Sequence, residues 1–173
     1  MQVRTLGLRS FRSYERATLD LGERVTVVTG ENGAGKTNLL EALYFGCTGR
    51  SCRTSNEREL VRFGAETARV TVAVGDAVSG IHELAVGFTP GQPKRITVDG
   101  DPVERLSDHP ARPLVSVFLP ERLELVKGPP GSRRAHLDQV VAALSPSRAI
   151  TRREFGRALA QRNALLMRIR DGR

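Results

Sequence analysis

The chain has no tryptophan, few aromatic residues (5%), two cysteines and three histidines among 173 residues. The thiols, Cys47 and Cys52, fit a compartment in which cysteine stays reduced. Two cysteines and the scattered His82, His109 and His136 do not offer the four closely spaced ligands of a structural zinc site. No apolar run approaches the roughly 18 residues of a membrane span, so no membrane partner is expected. The opening MQVRTLGLRSFRSYE has no signal-peptide core, and a cytoplasmic protein is expected. Acidic residues are scarce at one end only. Residues 127–173 carry 3 acidic side chains against 11 basic ones, whereas residues 1–126 carry 16 of each. The whole net charge of +8 therefore sits in the last 47 residues. Such a block suits a polyanion, most simply nucleic acid. It equally suits a solvated helix face in an organism that favours arginine.

What is present is an apolar fraction of 39%, enough for a folded domain. QVRTLGLR (2–9) reads as a strand. VTVVT (25–29) is a β-branched run expected of a buried strand. From Lys36 to about Gly46 the spacing of Leu39, Leu40, Leu43 and Tyr44 predicts a helix that Gly46 or Gly49 can stop. ARVTVAVG (68–75), IHELAVGF (81–88) and RITVDGDPV (95–103) predict antiparallel strands, with a tight turn at Asp99-Gly100. LVSVFL (114–119) reads as a buried strand ended by Pro120. Ser132 is a candidate N-cap for a helix through Leu144. An arginine-rich helix follows Pro146, with Phe155, Leu159, Leu166 and Ile169 as a coiled-coil-like seam.

The chemistry is concentrated in Gly30-Glu31-Asn32-Gly33-Ala34-Gly35-Lys36-Thr37, which fits G-x-x-x-x-G-K-[ST]. Glycines allow positive φ and let the backbone close around a phosphate. Successive N–H groups then form an anion nest, and the next helix aims its free amides at the same place. Lys36 supplies a charge for the terminal phosphates, and the Thr37 hydroxyl is the candidate Mg²⁺ ligand. A β-branched run leads in and an amphipathic helix leads out, which strengthens the motif. Phosphoryl transfer also needs an acid at the end of a second buried strand. Val72–Asp76 alternates, Ile96–Asp99 ends in a turn, and Leu114–Leu119 runs into Pro120-Glu121, so none of the three supplies it convincingly.

Taken together, LGLRSFRSYE (6–15), VTVVTGENGAGKTNLLEALYFGCTGRSCRT (25–54), ELVRFG (59–64), VSVFLPERLELVKGPPGSRRAHLD (115–138) and ALAQRNALL (158–166) resemble, in order, the RecF family of DNA replication and repair proteins, relatives of the SMC and Rad50 ATPases. The resemblance implies an α/β P-loop NTPase of the ABC-ATPase head type. Its mixed sheet with an antiparallel subdomain is followed by the start of a helical lobe. Lobe I then covers 1–126, and the basic segment 127–173 begins lobe II. It implies ATP and Mg²⁺ as cofactors, an ATP-dependent homodimer, single-stranded or gapped double-stranded DNA as partner, and RecO- and RecR-type mediators in recombinase loading and the SOS response. Position by position it places Gly30 to Thr37 on ATP, puts Arg12 and Ser13 beside the nucleotide, and sets Glu121 at the Q-loop. Arg133 and Arg134 are DNA-contact candidates by charge, with surface ion pairing as the alternative. Cys52 stands where the family usually has an aromatic residue. Family chains continue for about as many residues again and carry there the signature motif and the Walker B acid. The expectation is therefore a partial member that binds ATP·Mg and hydrolyses little alone. A small P-loop kinase and a nucleic-acid module whose loop grips backbone phosphate are the alternatives.

Overall fold

The computed structural model describes residues 2–76, 80–119 and 127–170. The chain divides into two compact units, residues 1–117 and 118–173.

The first unit is built on β1 (Gln2–Phe11), β2 (Tyr14–Asp20), β3 (Ala68–Asp76), β4 (Gly80–Phe88), β5 (Arg95–Val98) and β6 (Asp101–Pro102). These form one sheet in the order β2-β1-β3-β4-β5-β6, every pairing antiparallel. Alternation along each strand sends one set of side chains to a common face. The register lines them up in two rows, Leu6–Val72–Leu84–Val98 and Leu8–Val70–Val86–Ile96. Val70, Val72, Leu84 and Val86 are fully buried. Helix α1 (Lys36–Thr48) lies on this face, its Phe45 ring 5.8 Å from that of Phe11. Both rings are fully buried, which stabilises the fold by about 2–3 kcal/mol each. Contact is close because Gly46 has no side chain: a Cβ there would meet Val72 Cγ2 at 2.4 Å and Val70 Cγ1 at 2.8 Å. Gly49 then stops the helix in the left-handed region at φ 70°. Asp99 and Gly100, at φ 52° and 90°, make the expected β5–β6 turn. Cys47 is buried, which pushes its thiol pKa up to about 12.

In the second unit α2 (Pro130–Leu144) and α3 (Pro146–Arg170) are bridged by Arg152 Nε and Asp138 Oδ2 at 3.3 Å. Helix α2 begins at Pro130, preset for the first helical position, so Ser132 lies inside the helix and is not its N-cap. The seam residues Phe155, Leu159, Leu166 and Ile169 are all exposed. Among the described residues no helix is long and apolar enough to cross a membrane.

Two further expectations, both of buried strands, are corrected. Residues 25–29 are not a buried strand: Val25 and Val27 are 77% and 75% exposed, and the segment makes no ladder. Residues 114–119 are likewise outside the sheet, with Phe118 92% exposed. A β-branched run favours extended backbone, but it becomes a strand only where a neighbour offers a ladder, and no described strand pairs with either segment. Val28 and Val115 still pack on the core. The described sheet is antiparallel throughout. Conversely, YERATLD of β2 was not expected as a strand. It is the sheet edge, and its charged outer positions blur the alternation. Pro120 and Glu121 lie outside the described residues.

Candidate functional site

Gly30, Gly33 and Gly35 adopt φ of 145°, 85° and 96°, the conformations for which the motif needs glycine. Between them Glu31–Ala34 closes a turn, the Ala34 amide donating to Glu31 O at 3.2 Å. The loop is exposed up to Ala34 and sinks at Gly35, where α1 begins. Gly35 caps that helix without any side-chain hydrogen bond, and the first turn holds no acid. The amide end of α1 is therefore open to an anion. Lys36 does not extend away from the loop. Its Nζ folds back and donates to the carbonyls of Gly30 at 2.8 Å and Glu31 at 2.7 Å. Thr37 is exposed beside it.

The β1–β2 turn forms one flank. Ser13 Oγ and Tyr14 OH stand 3.0 Å from where a Gly35 Cβ would be, so the last loop glycine is also required by close approach. Asn38 Nδ2 donates to Ser13 Oγ at 3.0 Å, tying the turn to the first turn of α1. Ser13 thus stands beside Gly35 and the first turn of α1. Arg12 points elsewhere. Its Nε and Nη2 grip Glu41 Oε2 and Oε1, both at 2.9 Å, and Nη1 reaches Glu59 Oε2 at 3.5 Å.

Glu41, fully buried on α1, was not expected from sequence. Arg53 Nη1 also donates to its Oε2 at 3.2 Å, and Ser51 Oγ to its Oε1 at 2.6 Å. Burial alone would raise the Glu41 pKa. The hydrogen bonds from Arg12 and Ser51 and the charges of Arg12 and Arg53 outweigh that and hold it below the ordinary glutamate value. Burial works in the same way against the Arg12 cation, and its bonds to Glu41 and Glu59 raise its pKa despite it. Arg12 itself sits at φ 52°, a strained conformation for a side chain of this size. The strain is held by its amide on Leu60 O at 2.8 Å and by the fork on Glu41. Arg53 Nη1 further bonds Asn38 Oδ1 at 3.1 Å, so one network runs from Arg12 through Glu41 and Arg53 to Asn38 and Ser13. The available signal was an acid embedded in the apolar stretch Leu39–Leu43. Arg133 and Arg134 are exposed on α2, in the other compact unit, with Arg133 Nη1 donating to Gly128 O at 3.1 Å.

The family model described as AAA domain matches residues 5–106, more than half of the chain and all of this loop. The chain belongs to the AAA domain family. Within that family its similarity to RecF runs along its whole length. It is 41% identical to the DNA replication and repair protein RecF of Acidothermus cellulolyticus over 99% of this chain and 46% of that protein. It is 40% identical to the RecF of Paenarthrobacter aurescens over 100% of this chain and 43% of that protein. This AAA domain chain thus spans less than half the length of the curated relatives it matches. A solved structure of the recombination mediator protein RecF with ATP, in the RecFOR pathway, superposes with a TM-score of 0.84 at 29% identity. It is covered over 97% of this chain and 45% of that one. A structure from work on ATP-driven dimerization and DNA-stimulated activation of SMC ATPases has a TM-score of 0.63 at 20% identity over 81% of this chain and 99% of that one. At that identity it shows the shared ATPase-head fold alone.

Proposed function

We propose that this chain is the nucleotide-binding portion of a RecF-type DNA-repair ATPase, with lobe I over 1–126 and the root of lobe II over 127–173. Gly30 to Thr37 bind the phosphates of ATP. The observation that carries this is the Lys36 ammonium, folded onto the Gly30 and Glu31 carbonyls at 2.8 and 2.7 Å beside an uncapped helix start. A terminal phosphate entering the loop exchanges those neutral acceptors for charged oxygens, and such charge-assisted bonds are roughly twice as strong. Amides of the loop and of α1 hold the remaining oxygens. Ser13 flanks the nucleotide, and Arg12 acts on it through Glu41 rather than by contact. Mg²⁺ would accompany the phosphates and take the Thr37 hydroxyl; when bound it neutralises phosphate charge.

Single-stranded or gapped duplex DNA, RecO- and RecR-type mediators, recombinase loading, the SOS response, an ATP-dependent homodimer and a cytoplasmic location belong to this same reading. They rest on the RecF relatives and on the basic second unit, where Arg133 and Arg134 are DNA contacts. In this reading the chain alone binds ATP and turns it over negligibly. Titration with a fluorescent ATP analogue tests the proposal. The expected result is binding that weakens at least about tenfold in Lys36→Ala, the loss of one charge-assisted contact of about 1.5–3 kcal/mol. Equal binding by both proteins overturns it, and steady phosphate release abolished by Lys36→Ala overturns the statement about turnover.

A further inference from the structure

Downstream of α1 the chain forms a second polar hollow that shares no residue with Gly30–Thr37. It has a volume of about 470 Å³ and is lined chiefly by Arg50, Arg53, Thr54, Ser55, Glu57 and Lys94. Three cations face it against one carboxylate. Two of the cations are held in place by fixed partners. Lys94 Nζ holds Glu57 and, at 2.6 Å, the Gly49 carbonyl, and it stands 5.7 Å over the Phe45 ring. Among the described residues Arg53 is held through Nη1, on Glu41 and Asn38, and it lines the hollow. Arg50 is exposed, with its backbone fixed at both ends by Thr48 Oγ1. The wall is set before any ligand arrives. Ser51 Oγ accepts the amides of Arg53 and Thr54, both at 3.0 Å, and Thr54 Oγ1 accepts that of Asn56 at 3.0 Å. Preorganised donors lose little entropy on binding.

Guanidinium forks and hydroxyls on a fixed loop match a phosphate. The lining has no aromatic side chain, hence no platform on which a base could stack. Contact would therefore be to backbone phosphate and indifferent to sequence. From this we propose that the Arg50–Ser55 loop and Lys94 form a phosphodiester-binding site for nucleic acid on the flank of the nucleotide cradle. The site rests on the reading of this chain as a DNA-binding ATPase portion and adds to it a DNA contact in the first compact unit, outside the arginine-rich helices.

The test measures fluorescence anisotropy of a fluorescein-labelled gapped duplex over a range of salt concentrations. Wild type is compared with Arg50→Gln and Ser55→Asp, both at exposed positions that leave the ATP loop intact. Arg50→Gln should weaken binding about fivefold for every oligonucleotide sequence and lower the salt slope by about one. Ser55→Asp should weaken it at least as much, while both variants bind the fluorescent ATP analogue as wild type does. Wild-type affinity and slope in both variants overturn the site and leave the DNA-binding reading standing. Failure of wild type to bind the oligonucleotide overturns both. A free-phosphate site would instead show as ³¹P line broadening of orthophosphate lost in Arg50→Gln with oligonucleotide affinity unchanged, and that result overturns the nucleic-acid assignment.

Discussion

Glu41 is the residue on which the flank of the nucleotide loop depends, because two guanidinium groups converge on its buried carboxylate. Replacing it with alanine leaves Arg12 and Arg53 without their common anion. Breaking a buried pair from one side costs about 3–5 kcal/mol. The lower end is expected here, since the arginine side chains are 17% and 36% exposed and water can reach them. Chemical denaturation of Glu41→Ala against wild type should show a loss of about 3 kcal/mol, with Glu41→Gln intermediate. The folded-state pKa lies below the ordinary value of 4.5, so the carboxylate's contribution is present above that value and is lost as pH falls through the folded pKa. The wild-type melting temperature should therefore drop as pH is lowered beneath 4.5, and Glu41→Gln should flatten that drop. Apart from the acid itself, little of this was legible in LLEALYF. An acid between leucines reads as the wet side of a helix, and its partners come from 29 and 12 positions away. The phosphate loop, by contrast, is local: three glycines and a lysine within seven residues carry their own conformational demand, and its backbone turned as its composition required.

At the level of elements, periodicity was a good guide where an element meets its partners within this chain. Helix α1 and strands β3 to β5 followed their patterns because each apolar stripe finds the same core. The stretches 25–29 and 114–119 show the limit, since composition reports a preference for extended backbone and says nothing of whether a neighbouring ladder exists. Packing, too, is invisible in a pattern. Of the two candidate helix stops, Gly49 ends α1, and Gly46 is the contact point of the helix with Val70 and Val72. Gly46→Ala should destabilise by about 1–3 kcal/mol through overpacking. Gly156, in mid-α3 with nothing within 4 Å of where a Cβ would stand, should do the opposite. Gly156→Ala should stabilise α3 by up to about 1 kcal/mol. Thermal melts of the two variants, moving in opposite directions, check both statements.

Across the whole molecule, charge and fold are distributed differently. The sheet and the phosphate loop lie in residues 1–117, while the excess of +8 lies beyond residue 126. An electrostatic partner of the second unit should therefore respond to salt far more than nucleotide binding does. Replacing Arg133 and Arg134 together with glutamine should lower the salt slope of oligonucleotide binding by about one to two and leave binding of the ATP analogue unchanged. An unaltered slope would remove α2 from the DNA-contacting surface.

The burial of Cys47 has a practical corollary. A sulfhydryl with its pKa pushed up to about 12 is almost wholly protonated at neutral pH, so alkylating dyes should leave it alone. Cys52, intermediate in burial and lining the hollow beside Arg53, should then be labelled the faster of the two. The protein thus carries a handle for optical reporting where the proposed phosphodiester would arrive, with no engineered residue.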